Sequence, residues 1–311
     1  MVKVLVFHKV NNSFWFDRFV CYLRSKYSFI TTDILYEFYQ GHINLKNSCH
    51  ITIDDGEKLF YDVIYPVLKK YNIPASIFVS PKICIENSNY WFQEIESFNE
   101  IELKKIIADM TGIPFHSLLK YNNYSILKTR SINQIQEILR IYHKIKNSPK
   151  SVPQNMTVGN LKTVDNSRLI TIGAHTMNHP ILKNEDDETS KFEIDESINE
   201  LSNLLNHEIK SFSYPNGIPG LDFSEREERY LKWHGIQLAF TTASKRISVN
   251  DNPMCISRIG VSSSERIRFF RIKLCLGSNL GGLKRLKPNG EYRERKELIQ
   301  VFSKERMPIQ T

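Results

Sequence analysis

The chain has no apolar run approaching the roughly 20 residues needed to cross a bilayer. Its opening Met1-Val2-Lys3-Val4-Leu5-Val6-Phe7-His8 meets charge too soon for a secretory leader. Together these absences set an expectation of a cytoplasmic protein. Cysteine is scarce: five residues (Cys21, Cys49, Cys84, Cys255, Cys275), odd in number, scattered and without a CxxC pair. Neither a disulfide frame nor a thiolate zinc site is suggested, and reduced, mostly buried thiols are expected. There is also no internal repeat and no low-complexity linker.

The net charge of +8 invites thoughts of nucleic acid, but its distribution argues otherwise. Twelve Lys/Arg against five Asp/Glu fall from Glu265 onward, so the first 264 residues are nearly neutral. No nucleic-acid partner is expected. A basic end can rest on an anionic membrane surface or an acidic polymer, or simply keep the surface solvated. With 41% hydrophobic and 24% charged residues, the 311 positions can bury a substantial core in one large domain or two small ones.

Val2 to Phe7 reads as a buried strand ending on His8, followed by apolar positions at helical spacing (Phe16, Phe19, Val20, Leu23). His50 to Ile53 is a second strand running into Asp54-Asp55-Gly56; Leu59 to Tyr71 is a helix and Ala75 to Val79 a strand. The alternation resumes with a strand at Leu169 to Gly173, a helix at Asp195 to Leu205 and a strand at Lys210 to Tyr214. Ser224 and Glu227 form a capping box for a helix that Gly235 closes, and Gln237 to Thr242 is the next strand. Such alternation predicts an α/β fold with a parallel sheet or barrel. Residues 86–164 lack strand signals and read as a helical insertion on one connection. The chain divides into one α/β domain over 1–262 and a basic extension over 263–311, with partial disorder expected beyond about Lys284.

Polar residues sit at the carboxyl ends of four predicted strands, the rim where a βα barrel assembles its site: His8, Asp54-Asp55, His175 and Pro215-Asn216-Gly217. Two adjacent carboxylates after a buried strand repel unless a cation or proton intervenes; a polar turn is the alternative, since Asp-Asp-Gly is also good turn chemistry. His175 and His179 can converge on one ion if the intervening residues turn, and Pro180 keeps that turn short. Two histidines and one carboxylate leave room for water and substrate, as in catalytic metal sites.

Thr52-Ile53-Asp54-Asp55-Gly56 with Tyr65 to Val79 resembles the first motif of the NodB-type polysaccharide deacetylases, carbohydrate esterase family four. His175 to Pro180 is similar to their HTxxHP motif and Phe212-Ser213-Tyr214-Pro215-Asn216-Gly217 to their FxYPxG motif, in the family's order across about Val2 to Val261. The resemblance implies a deformed (β/α) barrel of about seven strands. It implies that Asp55, His175 and His179 hold a divalent metal, usually zinc, and that Asp54 is the base toward the attacking water. It further implies that the Asn216 backbone N–H helps hold the developing oxyanion. The family's late Leu-x-x-His motif is missing after Thr242. Leu5-Val6-Phe7-His8-Lys9-Val10 instead resembles the front-of-chain motif of the poly-N-acetylglucosamine deacetylase branch, which makes His8 the acid toward the leaving amine; a structural strand-end histidine is the alternative. Arg258 resembles the family's x-P-R-I stretch, with Ser257 in place of proline, and could orient a catalytic carboxylate; a plain surface arginine is the alternative. Tyr90-Trp91-Phe92 is read either as a sugar-stacking platform or as a buried helix start.

The expected activity is removal of N-acetyl groups from hexosamine units of a glycan or glycan precursor. Alternatives are a sugar O-deacetylase, a non-sugar amide hydrolase, or a carbohydrate-binding remnant without turnover. A cytoplasmic location would direct such an enzyme to lipid- or nucleotide-linked sugars, with the basic extension against the inner membrane surface.

Overall fold

The expected alternation resolves into one parallel sheet in a computed structural model that describes residues 2–263, 270 and 290–304. The strands are β1 (Val2–Phe7), β2 (Ser28–Phe29), β3 (Ser48–Ile53), β4 (Ala75–Val79), β5 (Ile170–Ala174), β6 (Ser211–Ser213), β7 (Leu238–Phe240) and β8 (Ile259–Gly260). They pair in the order β7-β6-β5-β4-β3-β1-β8, with the two-residue β2 beside β3. The curl is drawn together by one short stretch of chain. Ile256 bridges to Phe240 of β7, and Ile259 and Gly260 pair with Leu5 and Val6 of β1. This is the deformed (β/α) barrel that the motifs implied.

Side chains alternate across the strands with period two. In β3, Cys49, Ile51 and Ile53 face the outer helices, and Ser48, His50 and Thr52 face the interior. Outside, α1 (Ser13–Arg24) packs Phe16 and Phe19 edge-on against Phe7 of β1. Inside, Val4, Phe78, Leu238, Phe240 and Ile256 fill the barrel above α2 (Thr32–Tyr39). The interior is tight: a Cβ on Gly173 would lie 2.5 Å from the Phe78 ring and 2.6 Å from Ser211 Oγ.

The helix expected over Leu59 to Tyr71 forms with a defect. Phe60–Ile64 is a π-turn that leads into α3 (Tyr65–Lys70). Pro66 has no N–H for the usual partner four residues back, and Tyr65 N–H reaches Phe60 O instead, which widens the turn. Between β4 and β5 the chain builds α4 (Pro81–Glu86), α5 (Trp91–Glu94), α6 (Glu100–Thr111), α7 (Phe115–Leu118), α8 (Asn123–Leu127), α9 (Ile132–Lys146) and α10 (Val158–Asp165). Leu103, Ile107, Leu118, Leu127 and Ile135 form a second core there, separate from that of the barrel. Beyond β5 come α11 (Asp187–Leu205) and α12 (Glu225–Trp233), the latter with the expected Ser224–Glu227 capping box. Among the described residues no helix is long and apolar enough to cross a membrane.

One expectation is corrected over part of its span. Partial disorder was expected beyond Lys284, but Gly290–Lys304 forms helix α13; residues 285–289 and 305–311 lie outside the described residues. Leu298 and Phe302 of α13 join the second core, and Arg295 is buried against Asp222. A run of charge had concealed the apolar stripe that orders it.

His50 yields a test of the barrel interior. Its Nδ1 donates to Ile30 O at 2.9 Å, and its Nε2 accepts from Ser76 Oγ at 2.9 Å. Burial pushes its pKa down to about 4. The unfolded chain therefore binds the proton more readily, and stability present above about pH 6.5 is lost as pH falls toward 4. The expected loss attributable to His50 between pH 7 and 4.5 is about 2–3 kcal/mol, since each tenfold difference in proton affinity is worth about 1.4 kcal/mol. Urea unfolding of the wild type and of His50→Gln at both pH values measures it; an equal pH dependence in the two proteins would contradict the assignment.

Candidate active site

Asp54 continues the inward series of β3, and its N–H donates to Phe7 O, so its carboxylate points into the barrel mouth. The next two residues turn sharply, Asp55 at φ 71 and Gly56 at φ 65. Gly56 is required there, because a Cβ would lie 2.6 Å from Val79 Cγ1 as well as at positive φ. Tyr90 Oη fixes the turn by donating to Asp55 O at 2.8 Å. The two adjacent carboxylates thereby leave the strand toward different partners.

Asp54 meets Arg258. Arg258 Nη1 and Nη2 each lie 2.7 Å from one Asp54 oxygen, a bidentate pair. The guanidinium also donates to Thr241 O, Thr52 Oγ1 and Ser213 Oγ, so its burial at 0% side-chain exposure is compensated. Burial would push the Asp54 carboxyl up, but Arg258 and then His175 hold it below the ordinary carboxylate range. It stays ionised at neutral pH.

Asp55 meets the histidines. His175 follows the inward-facing Gly173, and its Nδ1–H donates to Ser213 O at 2.6 Å, leaving the Nε2 lone pair directed at the cavity. The turn to His179 is left-handed at Thr176 (φ 64) and again at His179 (φ 55). Glu193 of α11 holds it: its buried carboxylate accepts from Met177 N, Asn178 N and Asn178 Nδ2 at 2.9, 2.9 and 2.6 Å. His175 Nε2 and His179 Nε2 lie 3.4 and 3.5 Å from Asp55 Oδ1. Burial works against the charge on Asp55, but the imidazoles of His175, His8 and His179 outweigh it and hold the carboxyl below its usual range. Burial, then the neighbouring His175, pushes His179 down to about 3.

These donors fit a divalent cation. Asp55 Oδ1 is buried with no hydrogen-bond partner, and one ligand atom from each of the three residues lies within 4.8 Å of the others. Separations of 3.4 and 3.5 Å are long for hydrogen bonds. They match neighbouring ligands around a tetrahedral zinc, where bonds of about 2.0–2.2 Å place ligands about 3.3–3.6 Å apart.

A cavity of about 750 Å³ opens over these groups. His8 lies at its edge, half exposed, with Nε2 3.8 Å from Asp54 Oδ2. Asn216, at φ 58, lines another side, and no hydrogen bond from its backbone N–H is formed among the described residues. Trp91 opens α5, is buried and lines the cavity with Phe92, and its indole donates to His179 O at 3.0 Å. The structure thus brings His8, Asp54, Asp55, His175, His179 and Asn216 around one space, with Arg258 behind Asp54. Sequence reasoning passed over Glu193, whose one signal was an acid on the buried face of a helix. It also passed over Tyr124 and Lys128, and Glu291 and Tyr292 of α13, which complete the wall.

Solved structures share this architecture. A Streptococcus pyogenes deacetylase, PplD, described in complex with acetate, is 17% identical over 87% of this chain and 96% of its own, with a TM-score of 0.58. IcaB from Ammonifex degensii is 19% identical over 84% and 91%, with a TM-score of 0.54. A de-N-acetylase from Aggregatibacter actinomycetemcomitans is 14% identical over 87% and 98%, with a TM-score of 0.58. At these identities the likeness is one of fold. No curated protein sequence matches the chain. A family model described as polysaccharide deacetylase matches residues 43–239, a stretch holding Asp54, Asp55, both histidines and Asn216, and by that match the chain belongs to the polysaccharide deacetylase family.

Proposed function

We propose that the protein removes N-acetyl groups from hexosamine units of a glycan or glycan precursor, using a divalent cation, zinc, held by Asp55, His175 and His179. The observation that carries this reading is the division of labour between two adjacent carboxylates. Asp55 faces two imidazoles, while Asp54 is held ionised by a bidentate arginine at the same cavity.

The cation, when bound, supplies Lewis acidity that makes water more acidic and polarises the acetyl carbonyl. Asp54 takes the proton from the attacking water; Arg258 orients it and keeps its oxygens directed at the cavity. The Asn216 N–H donates to the carbonyl oxygen as charge develops there. His8 delivers a proton to the departing amine, which cannot leave as an anion. Trp91 and Phe92 offer apolar ring surface beside the centre, suited to a sugar face. The basic residues between Arg266 and Lys287 would suit an anionic cytoplasmic membrane surface carrying lipid-linked sugars.

Asp54→Asn should lower acetate release from N-acetylated glycans by at least about 10³-fold while zinc stoichiometry stays near one, whereas Asp55→Asn should lose the metal as well. Metal analysis and acetate release from N- and O-acetylated sugars, measured side by side, check both. Full activity in Asp54→Asn would end the mechanism, and release from O-acetyl sugars alone would move the substrate.

His8→Ala should cost about 10²-fold on an N-acetyl sugar but little on p-nitrophenyl acetate, whose leaving group needs no proton. Equal losses on the two substrates would remove His8 as the acid.

A further inference from the structure

The cavity has a wall that the barrel does not supply. Helix α13 contributes Glu291 and Tyr292 to it, and the helical segment contributes Tyr124 and Lys128. Behind that wall runs a chain of charge-assisted contacts. Lys128 Nζ donates to Glu291 Oε1 at 2.7 Å and to Asn216 Oδ1 at 2.8 Å. Asn216 Nδ2 donates to Asp222 Oδ2 at 2.7 Å, and Ile218 N donates to the same oxygen. The other Asp222 oxygen accepts from Arg295 Nη1, and both side chains of this pair are buried. Arg295 Nη2 reaches on to Lys128 O at 3.1 Å.

Asn216 is therefore gripped at both ends of its amide, on one side by Lys128 and on the other by an aspartate that Arg295 holds. We propose that α13 is a working part of the active site, with Arg295 a positioning residue that sets Asn216 through Asp222. The proposal rests on reading the Asn216 N–H as the oxyanion donor.

Asn216 occupies the left-handed region at φ 58 and Gly217 follows at φ 65. The direction of the Asn216 N–H depends on how that strained turn is held, and it has no backbone partner of its own among the described residues. Asp222 ties the turn to itself through Asn216 and Ile218, and Thr242 Oγ1 donates to Asn216 O at 2.7 Å. A buried carboxylate can serve as that tie only with a counter-charge. Arg295 is its counter-charge, and it comes from a helix outside the barrel. A donor displaced by a fraction of an ångström loses transition-state stabilisation with little effect on substrate binding.

The test uses the full-length, zinc-loaded protein. Arg295→Met should lower kcat on an N-acetylated sugar by roughly 10–100-fold, somewhat less than outright loss of an oxyanion donor. KM should stay within about threefold and metal content should be unchanged; Arg295→Lys should recover part of the loss. Amide hydrogen exchange at residues 216–218 should quicken in Arg295→Met while residues 176–179 stay as in the wild type. If Arg295→Met does not fold, Lys128→Met, which removes the other grip from a partly exposed position, should show the same split between kcat and KM. Unchanged kcat, or a loss confined to KM, overturns the proposal. If the wild type releases no acetate from any sugar, the deacetylase reading fails by itself. The exchange measurement then decides: faster exchange at 216–218 supports the clamp and unchanged exchange overturns it.

Discussion

Two carboxylates on consecutive residues, both buried, would each raise the other's proton affinity and neutralise the pair. Most of the rim is arranged to prevent this. The turn at Asp55 and Gly56 sends the side chains apart, one to a guanidinium and the other into a set of metal-ligating groups. Arg258 lies along Asp54, while Asp55 faces two imidazoles. Ser213 serves both sides, its hydroxyl accepting from Arg258 and its carbonyl accepting from His175. The separation of charge is thus a property of the barrel mouth as a whole.

The rest of the cavity wall comes from outside that mouth. The barrel provides charge and the tight interior; the helical segment and α13 provide ring surface, the Lys128–Glu291 pair and the far wall of the cavity. The two outside elements share one apolar core, so they present that wall as a unit.

The rim positions were legible because each group sits at a strand end, and period-two strands with buried faces can be read locally. Asp54, His175 and Asn216 needed only their own neighbours in sequence to be placed on the rim. Arg258 was offered as a carboxylate partner only through its resemblance to the family's x-P-R-I stretch, since the partner lies 204 residues away. Strand β2 is too short to show a pattern, and the π-turn at Phe60–Ile64 depends on the proline that follows it. Helix α13 failed for a different reason. Its buried face holds Arg295, whose burial makes sense only beside Asp222, and no local pattern announces a contact across such a separation. Glu193 was missed on the same ground, since an acid on a helix normally faces water.

The closing stretch of the barrel has a consequence for how the chain reaches this state. Arg258 sits between Ile256, which bridges to β7, and Ile259, which pairs with β1, so it arrives only when the sheet's two ends are joined. Until then Asp54, Thr52 and Ser213 face an open, wet interior. Desolvating Asp54 without the guanidinium would cost several kcal/mol, so an unclosed barrel has reason to stay hydrated and loose. The joining of the first and last strands spans almost the whole described barrel, a contact order that slows folding. Seating of Asp54 against its arginine and closure of the sheet are consequently coupled, because the same short stretch of chain supplies both.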